Sequence, residues 1–281
     1  MSGGTVNTRD DLPLSSAALD RLADDGRRVG LWWRDDDART VTPELERLLE
    51  LAKRQALPLA LAVIPVGAEP ALAERLAGAS GVSVLLHGHA HANHAPAGEK
   101  RAEYGDHRPA EDMSREIAAG RAQLEALFGD RFRPVFVPPW NRIGHTARSM
   151  LPGLGLAILS VYGPAKPAGK GGPAEVNTHL DIMDWRAMRS VSVAEADRRL
   201  ADLVAGHGAG HGAAHGAVRS TVAGSESEGD GGGEPIGLLT HHLQHDEAAW
   251  RLVEVLLGLL AGHPAVTWPD LPAAERHPKA H

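Results

Sequence analysis

The sequence predicts an α/β protein in which parallel strands close into a barrel covered by helices on its outer face. Three observations point there. Short, near-continuous apolar runs such as "PLALAVIPV" (58–66) and "PIGLLTHH" (235–242) read as strands buried on both faces. Amphipathic runs at helical spacing separate them, "DEAAWRLVEVLLGLLAGH" (246–263) being the clearest. The alternation gives about six to eight strand–helix units, which favours a closed barrel over an open sheet.

Taken in order, an amphipathic stretch near 16–26 leads into a strand at 29–35. A helix near 43–55 follows, opened by Thr42 and Pro43, since threonine caps a helix start and proline suits its first position. Strand 58–66, helix 70–79 and strand 81–87 come next, and after a polar loop a helix near 109–128 closes at Gly129. "RPVFVPP" (133–139) is a strand, followed by a short helix and by "GLAILSVYG" (155–163) as another strand. A strand near 175–182 and a helix near 192–205 precede a segment, about 205–235, rich in Gly, Ala, Ser and His. Its few large apolar side chains cannot offset the entropy of ordering it, and glycines between His207, His211 and His215 oppose a helix, so a flexible insertion is expected. The last strand and helix complete the pattern. The expected organisation is an N-terminal tail and helix (1–28), a barrel (29–270) and a C-terminal tail (271–281).

Composition narrows the function. A net charge of −7 offers no electrostatic footprint for nucleic acid. The chain has no cysteine, which excludes thiolate metal sites, cysteine nucleophiles and disulfides. No apolar run suits a membrane span, and the N-terminus lacks the pattern of a signal peptide, so a cytoplasmic protein without membrane insertion is expected. Histidine stands out, with 16 against 2 Tyr and 3 Phe.

In a β/α barrel the active site forms at the C-terminal ends of the strands. Asp35, Asp36 and Asp37 end the first strand, His87 the third, Pro138–Trp140 the fourth, and His241–His242 the last. Three adjacent carboxylates are costly to gather without a cation or proton among them. "LLHGHAHANH" (85–94) places His87 and His91 four apart, a spacing at which two imidazoles can bind one metal ion. Two imidazoles and a carboxylate leave coordination positions open, as catalytic metal sites do.

These motifs, in order over about residues 29–265, resemble those of the NodB-type polysaccharide deacetylases, carbohydrate esterase family 4. "RDDDA" matches the family's Asp pair, His87 and His91 its His-x-x-x-His, "VPPWN" with Trp140 its Pro-rich strand end, "DIMDWR" with Asp184 and Trp185 its fourth motif, and "LLTHH" its last. The resemblance implies a distorted (β/α)7 barrel of the polysaccharide deacetylase type and removal of N-acetyl groups from a sugar or polysaccharide. It implies Asp35 as the base, Asp36 or Asp37 with His87 and His91 as ligands of a divalent ion, the Trp140 N–H at the oxyanion, and His241 as the acid. Zinc suits the donor set, with cobalt, nickel or iron as alternatives (Co2+, Ni2+, Fe2+). Asn93, His94, Arg142, Asp184, Trp185 and His242 are expected to touch substrate or brace the catalytic groups.

Two departures stand out. Val137 occupies the place of the arginine that usually orients the catalytic Asp, leaving Arg34 or Arg142 to replace it, and Gly88 stands where Ser or Thr is frequent. The first departure keeps open a degenerate metal-containing glycan-binding protein. The ligand set alone also admits a two-His-one-carboxylate iron oxygenase, against which the β/α alternation argues.

Overall fold

The computed structural model describes residues 8–208 and 233–271. In chain order the elements are α1 (Thr8–Asp11), α2 (Pro13–Asp24), β1 (Val29–Ala38), α3 (Pro43–Gln55), β2 (Leu59–Val63), α4 (Pro70–Ala77) and β3 (Val82–His87). There follow α5 (Ala110–Phe128), β4 (Phe132–Val137), α6 (His145–Met150), β5 (Ile158–Leu159), β6 (Ala174–Glu175), β7 (Leu180–Asp181), β8 (Met183–Asp184) and β9 (Arg189–Ser190). The last are α7 (Val193–Gly208), β10 (Ile236–Thr240), α8 (Glu247–Leu260) and β11 (Val266–Thr267).

The main sheet runs β6-β5-β4-β3-β2-β1-β10-β7, with every pairing parallel and β11 added to β1. Its two ends, β6 and β7, belong to one stretch of chain. Ala174 and Glu175 pair with β5, and Leu180 and Asp181 pair with β10. Between them Val176 and Thr178 donate to the Leu159 and Val161 carbonyls, and His179 donates to that of Gly237. Counted as one strand, this stretch links the edges and makes seven, the distorted β/α barrel that the motifs imply. The strand expected over 155–163 is shorter than read: β5 is the pair Ile158–Leu159, although the Ser160 N–H still donates to the Phe136 carbonyl beyond it.

Helix boundaries follow local chemistry. The Thr42 hydroxyl accepts the Leu45 N–H at 3.1 Å to open α3, and Asp246 accepts the Ala249 N–H at 2.7 Å to open α8. α2 starts earlier than its apolar periodicity suggests, at Pro13, because Asp197 on α7 accepts the Leu14 and Ser15 N–H groups at 3.0 and 2.7 Å. That long-range cap could not be read from local sequence. α7 extends to Gly208, past the expected start of the Gly- and His-rich insertion, most of which lies outside the described residues.

Two apolar layers position the site. Trp32, Ala60, Ala62, Leu85, Val135, Val137 and Ile158 fill the barrel interior. Leu31, Trp33, Leu61, Leu86 and Phe136 face outward against the helices, α8 contributing Leu252, Val253, Leu256 and Leu260. No helix among the described residues is long and apolar enough to cross a membrane.

Candidate metal centre

Strand alternation separates the three aspartates. On β1, Trp32 lies inside the barrel and Trp33 outside, so Asp35 continues the outer face and Asp36 the inner. Asp37 breaks the alternation with φ of 77°, where the β1–β2 register also shifts. Its carboxylate thereby reaches the histidines of the β3 end.

Asp37 Oδ1 lies 3.1 Å from His87 Nε2 and 3.3 Å from His91 Nε2. Ligand atoms of the three residues all fall within 4.8 Å of one another, the one such group among the described residues. The Nδ1–H of His87 donates to the Val137 carbonyl at 3.0 Å, which leaves the Nε2 lone pair facing a carboxylate. Two acceptors so placed need a proton or a cation between them. Ligands held about 2.0–2.1 Å from a tetrahedral zinc ion stand roughly 3.3 Å apart, which the two separations from Asp37 match.

The electrostatics agree. Burial raises the Asp37 pKa, but the His87 hydrogen bond and the charges of His87, His241 and His91 outweigh it and hold the carboxyl well below its usual range. Burial opposes charging His87, and its bond to Asp37 and the charges of Asp36 and Asp37 reverse that and raise its pKa. Burial lowers that of His91, as does the neighbouring His87.

Beside this corner, Asp36 is held from within the barrel. Arg34 is fully buried; its Nη2 donates to Asp36 Oδ2 at 3.0 Å, and its Nε approaches Asp36 Oδ1 at 2.9 Å as an ion pair. Nη1 and Nη2 also donate to Ser160 Oγ and Asn141 Oδ1, both at 2.7 Å. The guanidinium absent at Val137 is therefore supplied from Arg34. Arg142 does not supply it: exposed, it turns away to donate to the Arg101 carbonyl. His241 Nε2 lies 3.8 Å from Asp36 Oδ2 across the β1–β10 seam.

Asp35, expected as the base, is placed elsewhere. It is fully buried on the outer face, accepting from Thr240 Oγ1 at 2.6 Å and the His242 N–H at 3.0 Å, with His242 Nδ1 at 2.5 Å from its other oxygen. Sealed there, its carboxylate has no reach to water on the rim, and Asp36 occupies the inward position instead. His242 belongs to this outer pair. Likewise Asp37, not Asp36, takes the corner beside the histidines.

The remaining expected residues divide. The Trp140 ring lies 4.4 Å from that of His91, tilted against it, and the exposed Trp185 meets His241 edge-on at 4.6 Å. Asp184 closes a local turn by accepting the Arg186 and Ala187 N–H groups; Asp181, three residues earlier, accepts from Trp185 Nε1 at 2.8 Å beside His241. Asn93 braces its own loop, accepting the Ala95 and Ala102 N–H groups, and His94 is exposed there. Sequence reasoning missed Asp181, Ser160 and Asn141; only the "DIMD" spacing (181–184), with an Asp at each end, offered a signal for the first.

Asp37, His91, Trp140 and Asn141 all have positive φ, four of the six non-glycine residues that do among the described residues. Such conformations cost roughly 1–3 kcal/mol each and persist where surrounding structure enforces them.

No protein-family model matches the chain, and no curated protein sequence matches it. Solved structures share its fold. A family 4 carbohydrate esterase from Streptomyces lividans, in complex with acetate, superposes with a TM-score of 0.52 at 15% identity, over 89% of this chain and 98% of its own. A Mycobacterium smegmatis protein assigned as a polysaccharide deacetylase gives 0.55 at 16%, over 86% and 87%. A family 4 pseudoenzyme from Bacillus anthracis gives 0.50 at 12%, over 83% of this chain and 60% of its own. The chain thus has the fold of the NodB-type polysaccharide deacetylases, as its motifs suggest.

Proposed function

We propose that this protein is a metal-dependent hydrolase that removes acetyl groups from the amide nitrogen of an N-acetylated sugar or glycan. One observation carries the reading: the Asp37, His87 and His91 corner shares its rim with an arginine-held carboxylate, Asp36, and a histidine, His241, facing it. Asp37, His87 and His91 would hold the ion, zinc by the chemistry of the donors. When bound, such an ion supplies Lewis-acid polarisation of a carbonyl and a lowered pKa for water.

The chain's own groups do the rest. Asp36 takes a proton from the attacking water as its oxygen bonds to the acyl carbon, and Arg34 keeps that carboxylate aimed. The Trp140 N–H holds the developing oxyanion. His241 delivers a proton to the leaving nitrogen as the C–N bond breaks, so that water and amide become acetic acid and amine. The exposed Trp185 ring beside His241 gives an apolar wall for the acetyl or sugar face.

The degenerate glycan-binding alternative draws on the missing arginine; the Arg34–Asp36 pair supports the catalytic reading over it. An iron oxygenase draws on nothing beyond the ligand set. The test is acetate release from a panel of N-acetylated glycans by chelated protein, with and without added Zn2+. Zn2+-dependent release is expected; none across the panel would sink the deacetylase reading.

A further inference from the structure

The loop that carries His91 has no regular structure of its own. Residues 88–94 contain no helix or strand, and Gly88 and His91 both sit at φ of 57°. A left-handed histidine in an irregular loop is a poor platform for a ligand unless something outside the loop fixes it.

That something is a carboxylate. Glu103 is 1% exposed, and three backbone N–H groups of the loop converge on it: His89 at 3.2 Å, Ala90 at 2.8 Å and Ala92 at 3.3 Å. Successive N–H groups in a curved backbone form an anion-binding nest, and here the anion is the protein's own. Gly88 is what admits it. A Cβ at Gly88 would lie 2.1 Å from Glu103 Oε2 and 2.7 Å from the Pro139 ring. The clamp is itself anchored, because Arg108 donates to the Glu103 carbonyl at 3.0 Å while paired with Glu116. From the other side Arg39 donates to the Ala90 carbonyl at 3.2 Å, and the Val66 N–H to that of His89 at 2.9 Å.

We infer that Glu103 is a positioning residue for the metal centre: by gathering the N–H groups on both sides of His91, it sets that imidazole opposite His87 and Asp37 before any ion arrives. This rests on the reading of Asp37, His87 and His91 as metal ligands. Removing it leaves three N–H groups without their acceptor, so the loop must rearrange and the ordering cost moves into metal binding.

The test is Zn2+ affinity, measured by chelator competition on metal-free wild type, E103A, E103Q, G88A and H91A, with Co2+ absorption spectra and metal-free melting curves alongside. Groups that orient metal ligands typically contribute 10–100-fold to affinity, and a loss in that range is expected for E103A together with a changed Co2+ spectrum. E103Q should fall between, since one amide oxygen can still accept two N–H groups while its NH2 opposes the third. G88A should resemble E103A, having displaced the carboxylate. Wild-type Zn2+ affinity in both E103A and E103Q, even with a lower melting temperature, would reduce Glu103 to structural support and overturn the inference. Should E103A fail to fold, E103Q and G88A decide. If wild type binds no Zn2+, or H91A binds as wild type does, the metal centre itself is misread and the role of Glu103 falls with it.

Discussion

Replacing Arg34 by methionine keeps most of the side chain's length and removes its charge inside the barrel. Both partners of the pair are shielded, the Arg34 side chain at 0% exposure and that of Asp36 at 3%. At an effective dielectric of about 20, unit charges roughly 4 Å apart attract by about 4 kcal/mol, and desolvation already offsets much of that in the intact pair. The single substitution strands the Asp36 carboxylate without its cation and withdraws donors from Ser160 and Asn141, so a loss of about 3–5 kcal/mol is expected. Asp36→Asn alone strands a buried guanidinium and costs a similar amount. The double variant R34M/D36N removes both charges together and recovers part of the loss, for a coupling of about 2 kcal/mol or more. Urea unfolding of the four proteins at neutral pH measures the cycle. A cost below about 1 kcal/mol for R34M, or strictly additive singles, refutes the reasoning, because the two charges would then not depend on each other. In acetate release, R34M should lose far more than its folded fraction accounts for, and R34K should recover only part.

His87→Ala and His91→Ala should each abolish tight Zn2+ binding in a folded protein, checked by metal analysis; near-full occupancy in both would remove the metal assignment. His241→Ala should lower turnover by about 10²–10⁴-fold with metal content kept, as loss of a proton donor does. His242→Ala should instead lower the unfolding free energy by about 3–5 kcal/mol, since it strands the buried Asp35; reversed severities would exchange the two roles. His245 has its pKa pushed down to about 4, foremost by burial, and its Nε2 accepts the His241 N–H. The unfolded chain takes up a proton below about 6.5 that the folded one refuses, so the stability His245 allows is intact above that pH and lost towards pH 4, by up to about 3 kcal/mol. In melting curves at pH 7.5, 6 and 5 the H245Q variant should gain on wild type as the pH falls; a constant gap would show that His245 does not titrate this way.

Much of the barrel was legible because its long elements carry strong patterns: α8 with its continuous apolar stripe, β2 and β3 with unbroken apolar runs, α3 with Thr42 and Pro43 at its start. The closing stretch was faint, since Ala174–Asp181 mixes polar and apolar residues and divides its pairing between two neighbours. At the site, His87 and His91 declared themselves by spacing. The aspartate triplet did not declare its register, because the residue that departs from alternation, Asp37, does so through a backbone conformation that no side-chain pattern marks. Arg34 was legible only as one of two arginines, with Arg142, that could replace the one missing at Val137. An arginine between Trp33 and Asp35 reads as a strand-end charge, and only the closed barrel reveals that its guanidinium lies inside, against Ser160 and Asn141.

The β1–β10 seam has a consequence for how the molecule assembles. The metal corner draws on Asp37, His87 and His91, all from the first third of the chain and joined by successive β/α units. Asp36 and His241 face each other only across this seam, which joins partners such as Trp33 and Thr240, 207 residues apart. Contacts so distant in sequence form slowly, because a long loop must close before any pairing rewards it. The corner can therefore be built while the chain is still incomplete, and His241 meets Asp36 only with ring closure. On the proposed reading, a partly folded chain of this kind would capture an ion yet lack the acid for chemistry, and competence to hydrolyse would report that the barrel has shut.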